Sequence, residues 1–125
     1  MESSFDSEEN MLCMTITEEV DHHTTEKMRR KMDYEITRFM PRKVVFDFSK
    51  VSFMDSAGIG LLIGRYKLVK LLGGTTEISH CNKSVSKILE MSGVLKIIPL
   101  TECNNWKIKV NLKEIEKAKI KTRRK

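Results

Sequence analysis

The segment Val44-Val-Phe-Asp-Phe48 is short, β-branched and aromatic, the profile of a buried strand. It lies between two stretches with helical spacing. Upstream, Met28, Met32, Ile36, Phe39 and Met40 recur every three or four residues and line one face with core side chains; Asp21 is the candidate N-cap and Pro41 the stop. Downstream, Ile59, Leu62, Ile63, Tyr66, Val69 and Leu72 form a wide apolar stripe on a helix from about Ala57 to Leu72, closed by Gly73-Gly74. A buried strand with a helix on either side belongs to a sheet joined by crossover connections.

The flanking segments extend this pattern. Met11 to Thr17 alternates loosely and reads as a strand, with the acidic residues 1–10 forming an edge strand or fraying. Val51 to Met54 continues the central strand towards a turn. Thr75 to Ser79 is a further strand, Ser84 to Met91 a short helix with Val85, Ile88 and Leu89 inward, and Leu95 to Leu100 a strand closed by Pro99. The last segment reads two ways: Trp106, Ile108, Val110 and Leu112 alternate like a strand, whereas Ile108, Leu112 and Ile115 step like a helix. Its Lys- and Glu-rich composition without Gly or Pro favours the helix. The expected fold is α/β, with a mixed central sheet of four to five strands and about four crossover or covering helices.

Residues 1–106 form one domain in this reading, and residues 107–125 a basic C-terminal helix or tail. The 125 residues are 40% hydrophobic and carry a net charge of +6, which by itself points to polyanions. Residues 107–125, however, hold nine basic and two acidic side chains, and the rest of the chain is net −1. A basic nucleic-acid-binding core is thereby excluded, and direct DNA binding is not expected. No apolar run approaches the roughly 18 residues of a membrane span. The acidic start (Glu2, Asp6, Glu8, Glu9) is the reverse of a signal peptide, so a soluble, cytoplasmic protein is expected. Cys13, Cys81 and Cys103 have unrelated spacings and read as reduced, mostly buried thiols.

Chemistry concentrates in Val51-Ser-Phe-Met-Asp-Ser-Ala-Gly-Ile-Gly60 and the helix that follows, a strand, a tight turn and a helix start. In an α/β sheet such turns lie at the carboxyl edge, where sites gather. Ser56 falls at or just before the first helical turn, where its hydroxyl can cap free N–H groups and where those groups also favour a phosphate. Gly58, Gly60 and Gly64 depart from the dinucleotide-binding spacing, and Met54 stands where a nucleophile elbow needs glycine. An ordinary helix cap remains open on local evidence. His22-His23 and His80-Cys81 are adjacent pairs that point apart and give no shared metal site. Arg65, Lys67 and Lys70 read as the solvated side of the second helix, or as a partner contact.

Val20-Asp-His-His-Thr24, Val51 to Gly60, Gly64-Arg-Tyr-Lys67, Gly73-Gly74 and Met91-Ser-Gly-Val-Leu-Lys-Ile-Ile98 together resemble, in order and spacing, the anti-sigma factor antagonists of the STAS class, and most nearly the sporulation members acting on the first forespore sigma factor. The likeness covers roughly residues 5 to 103. It implies a phosphorylation switch with no catalysis and no cofactor of its own. In that family the unphosphorylated form binds an anti-sigma factor with serine kinase activity and frees the sigma factor. Phosphorylation of the turn serine, here Ser56, abolishes binding, and a PP2C-type serine phosphatase reverses it. The resemblance assigns the partner surface to Asp21, His22, His23, Thr24, Asp55, Ser56, Gly58, Ile59 and Gly60. Ala57 stands where close relatives often carry a second hydroxyl, and Glu18 where a glycine is usual ahead of the double-His turn. A STAS scaffold or ligand-sensing module in a stress-signalling complex is the alternative.

Overall fold

The computed structural model describes residues 1–101. Strands β1 (Glu2–Asp6) and β2 (Met11–Thr15) form an antiparallel hairpin, with Glu2 opposite Thr15 and Asp6 opposite Met11. Helix α1 (Thr25–Phe39) crosses to β3 (Lys43–Asp47), α2 (Ser56–Leu71) to β4 (Thr75–Ser79), and α3 (Lys83–Ser92) with a single 3-10 turn (Val94–Lys96) to the two-residue β5 (Leu100–Thr101). The five strands lie in the order β1-β2-β3-β4-β5, parallel from β2 onward. This is the expected mixed sheet with its acidic edge strand. Three α-helices lie within the described residues; the fourth expected helix, Cys103 and Trp106 lie outside them.

Helices α1 and α3 are amphipathic for the reason their spacing gave, whereas α2 is apolar over most of its circumference. Met28, Met32 and Ile36 of α1, Leu61, Leu62 and Val69 of α2, and Val85 and Leu89 of α3 are buried against Leu12, Met14, Val44, Phe46 and Ile78 on one pleat of the sheet. Full burial of each large side chain contributes about 1.5–3 kcal/mol. Phe39 is half-buried and stacks on Phe5 at 4.4 Å between ring centroids, so α1 also fastens the edge strand.

Several boundaries differ from expectation. Met40 is 53% exposed, because α1 ends one residue earlier and Met40 takes a left-handed φ of 48°, its N–H donating to the Ile36 carbonyl at 2.9 Å. Val51 to Met54 is no strand extension; only Met54 pairs, in an isolated parallel bridge to Val20. Leu95 to Leu100 is mostly not strand: Gly93 at φ 82° starts a 3-10 turn, and Pro99, which lacks an N–H, contributes only its carbonyl, accepting the Ile78 N–H at 2.9 Å just before the two-residue strand. Gly73 stops α2 as anticipated, at φ 91°, where a side chain would be strained.

Candidate functional site

Parallel strands share one carboxyl edge, so the loops after β2 and β3 emerge side by side. They are also bonded to each other: the Val20 N–H donates to the Phe53 carbonyl at 3.1 Å and the Asp55 N–H donates to the Val20 carbonyl at 3.0 Å. Two segments separated by more than thirty residues of sequence thus become one surface.

The first loop ends in an Asp-centred turn. Asp21 Oδ1 accepts the His23 N–H at 2.9 Å and the Thr24 N–H at 3.1 Å, and the Thr24 hydroxyl donates to the Glu19 carbonyl at 2.9 Å. Partial desolvation alone would raise the Asp21 pKa; the two N–H donors, the Thr24 hydroxyl and the His23 charge outweigh it and hold the carboxyl below the usual range. Asp21 is therefore not the N-cap of α1. That position belongs to Thr24, and Asp21 organises the turn before it. His22 and His23 are exposed, with rings 4.0 Å apart between centroids. Glu18 does not sit at positive φ, so its side chain imposes no backbone strain on this loop.

The second loop corrects the capping assignment in the same way. Asp55, not Ser56, is the N-cap of α2: its Oδ1 accepts the Ala57 N–H at 2.8 Å. Ser56 is the first helical residue, exposed, and its hydroxyl bonds to no described residue. The helix end supplies the positive pole of the dipole, with the Gly58 N–H donating to the Asp55 carbonyl at 3.0 Å beside the Ala57 N–H on the Asp55 side chain. Gly58 and Gly60 part company. A Cβ on Gly58 would come within 2.4 Å of Met54 Cγ and 3.0 Å of Val20 Cγ1, so glycine lets the helix sit down on the Val20–Met54 bridge. Gly60 faces open space and is exposed, while Ile59 is half-buried. Of the nine residues assigned to the surface, Gly58 thus acts beneath it.

The sequence reading missed three features. Arg65 is 7% exposed, not solvated; its Nε lies 2.7 Å from Asp33 Oδ1 on α1, as an ion pair rather than an aligned hydrogen bond, and its Nη1 donates to the Leu61 carbonyl at 3.2 Å. Burial lowers the Arg65 pKa, Asp33 opposes that shift and the charge of Arg29 adds to it. The second feature is a cavity of about 300 Å³ between the helix starts, lined by His22, Thr25, Arg29, Ala57, Gly60 and Arg65 among others. The third is Phe53, 46% exposed one residue before the bridge. The stripe of α2 could have flagged Arg65, since it falls between inward Leu61 and Val69. His80 stands apart: at φ 59° its Nδ1 lies 3.5 Å from Asp47 Oδ1 and 3.1 Å from Ser79 Oγ, and among the described residues no metal-binding cluster forms. Neighbouring Cys81 is half-buried, its thiol pushed up to about 12 by burial and the Asp47 charge.

This fold and this paired-loop edge define the STAS class, and residues 4–115 match the STAS domain family, to which the chain therefore belongs. The chain is 38% identical over 90 residues to an anti-sigma F factor antagonist of Paenibacillus polymyxa, covering 72% of this chain and 77% of that one. Among solved structures, the anti-sigma factor antagonist SpoIIAA in its unphosphorylated form superposes with a TM-score of 0.69 at 24% identity, over 85% of this chain and 90% of that one. An anti-sigma factor antagonist from Mycobacterium paratuberculosis gives 0.73 at 16% identity, over 87% and 92%. At those identities the two structures show the fold alone. No helix among the described residues is long and apolar enough to cross a membrane.

Proposed function

We propose that this protein is a cytoplasmic, phosphorylation-switched anti-sigma factor antagonist. Unphosphorylated, it binds an anti-sigma factor with serine kinase activity and so frees the sigma factor; phosphorylation of Ser56 abolishes binding, and a PP2C-type serine phosphatase restores it. One observation carries the reading: Ser56 is an exposed hydroxyl with no hydrogen-bond partner among the described residues, at the N-terminus of α2, on the surface that the Val20–Met54 bridge shares with the Asp21–Thr24 turn. The surface residues are Asp21, His22, His23, Thr24, Asp55, Ser56, Ile59 and Gly60, with Gly58 as their support and Phe53 as an aromatic addition.

The physics suits a switch read by the partner. A phosphate adds about −1.5 to −2 charges, and at a helix N-terminus the domain tolerates them without refolding. A kinase carboxylate about 6 Å away would then meet a like-charge cost of about 3 kcal/mol per unit charge at an effective dielectric near 20, about a hundredfold in affinity. Asp55 already spends one oxygen on Ala57 and adds its own charge to that repulsion.

Incubation with the cognate anti-sigma kinase and ATP, followed by mass-spectrometric mapping, tests the site. Phosphate on Ser56, and none on a Ser56→Ala variant, is expected. Undiminished phosphorylation of Ser56→Ala would overturn the assignment.

A further inference from the structure

The chain leaves β3 at Asp47 and enters α2 at Ser56, and between them only Met54 pairs with a strand-like neighbour, in its bridge to Val20. The far half of this loop is held by the first loop, through the bonds of Val20 with Phe53 and Asp55. The near half turns on itself: the Ser49 N–H donates to Asp47 Oδ1 at 2.9 Å and the Val51 N–H to the Phe48 carbonyl at 3.0 Å. The carbonyls of Val51 and Ser52, immediately before Phe53, still need donors. Val51 is 3% exposed, and a carbonyl in such surroundings must replace the water it has lost.

Both carbonyls are met from a third loop, the one between β4 and α3. Asn82 donates its Nδ2 to the Val51 carbonyl at 3.2 Å and to the Ser52 carbonyl at 3.5 Å, across 31 and 30 residues of sequence. Its other end is engaged too: Oδ1 accepts the Val85 N–H at 2.8 Å, which makes Asn82 the N-cap of α3. The two ends fix the orientation of the amide, because an oxygen turned to the two carbonyls would find no hydrogen and a nitrogen turned to Val85 would meet another donor. Aspartate and serine cap a helix about as well as asparagine, but neither carries an amide N–H pair. Capping thus accounts for one end of Asn82 and not for the other. Phe53, 46% exposed, follows directly on the stretch that Asn82 holds and precedes the bridge that Val20 holds. Ser56, by contrast, is fixed by its own helix, through the bonds of Asp55 with Ala57 and Gly58.

We propose that Asn82 is a positioning residue for partner recognition: its oxygen caps α3 while its amide nitrogen clamps the Val51–Ser52 backbone, so that Phe53 is presented to the anti-sigma kinase in a fixed direction. The role rests on the proposed function and deepens it, because the partner surface then depends on three loops rather than two.

Two neutral variants separate the two ends. Asn82→Ser keeps a capping oxygen and removes the amide donors; Asn82→Ala removes both. In hydrogen exchange on the free protein, the Val51 and Asp55 amides are expected to quicken about fivefold in both variants, and the Val85 amide in the alanine variant alone. Unaltered Val51 and Asp55 amides would overturn the clamp. With the cognate kinase and ATP, Asn82→Ser should raise KM for phosphorylation of Ser56 about fivefold and leave kcat unchanged, since the acceptor serine stays fixed on α2. In a Phe53→Ala background the same change should raise KM by no more than about twofold, because the group that Asn82 aims is gone. Equal effects in the two backgrounds, or a fall in kcat in place of the rise in KM, would overturn the positioning role. A kinase that does not act on the unsubstituted chain would overturn the proposed function and this role with it, and the amides then judge the clamp by itself.

Discussion

The two turns at the carboxyl edge do the same job, starting a helix after a parallel strand, and spend their polar groups in opposite ways. In the turn before α1, Asp21 takes the N–H groups of both His23 and Thr24, and the Thr24 hydroxyl is tied back to Glu19. In the turn before α2, Asp55 takes a single N–H, and the hydroxyl beside it is left without a described partner. The first turn is closed on itself and can present a fixed shape. The second keeps one chemical group in reserve where added negative charge is best tolerated. Under the proposed function, that division gives recognition to one loop and switching to the other, and substitutions that blur it should separate the two.

The largest effect is expected at the reserved group. Ser56→Asp should weaken capture of the kinase by about a hundredfold, while Ser56→Ala binds like the unsubstituted protein; calorimetric titration of both with the ADP-bound kinase checks this, and equal affinities would remove the electrostatic account. Next comes the link between the helices that the two turns begin. Arg65→Met leaves Asp33 without its cation, and because that carboxylate is a third exposed the cost should be about 2 kcal/mol in urea unfolding, below the full penalty for a deeply buried pair. Phe53→Ala should cost about tenfold in kinase affinity and almost nothing in unfolding free energy. Asp55→Ala should cost about 1 kcal/mol of stability as a lost N-cap, without touching the Asp21 turn.

How much of this was legible beforehand differs between the scaffold and the site. Strand and helix order could be read because each rests on a local period: β-branched Val44 to Phe46 in one case, Met28, Met32 and Ile36 in the other. The short β5 was misjudged because Val94, Leu95 and Ile98 are as apolar as a strand, and only Gly93 and Pro99 told otherwise. The caps were each placed on the wrong residue, for different reasons. Asp21 does accept N–H groups, but those of the turn before α1, three residues short of its N-cap Thr24; at α2, Asp and Ser are both good N-caps and adjacent, and only the structure shows that Asp55 takes the N–H. Ser56 itself was found by motif, but its exposure and its lack of a partner among the described residues were not. Arg65 was lost because a charged side chain on a helix is normally solvated, and its partner lies on another helix.

The smallest effect concerns charge within the closed turn. Asp21 is held below its ordinary pKa in the folded protein, so the unfolded chain binds its proton at a higher pH than the folded one. Its contribution is therefore present above the ordinary carboxylate pKa, about 3.9, and is lost as pH falls through the folded value. The His23 and Thr24 amide resonances should report this directly, titrating with a midpoint below that of an unstructured aspartate. Asp21→Asn keeps an acceptor oxygen for both N–H groups and removes the charge. It should abolish the acid titration of those two amides while preserving their slow hydrogen exchange at neutral pH. If exchange instead accelerates to that of an open loop, the turn is held by the carboxylate charge and not by the acceptor geometry, and the contrast with Asp55 becomes one of electrostatics alone.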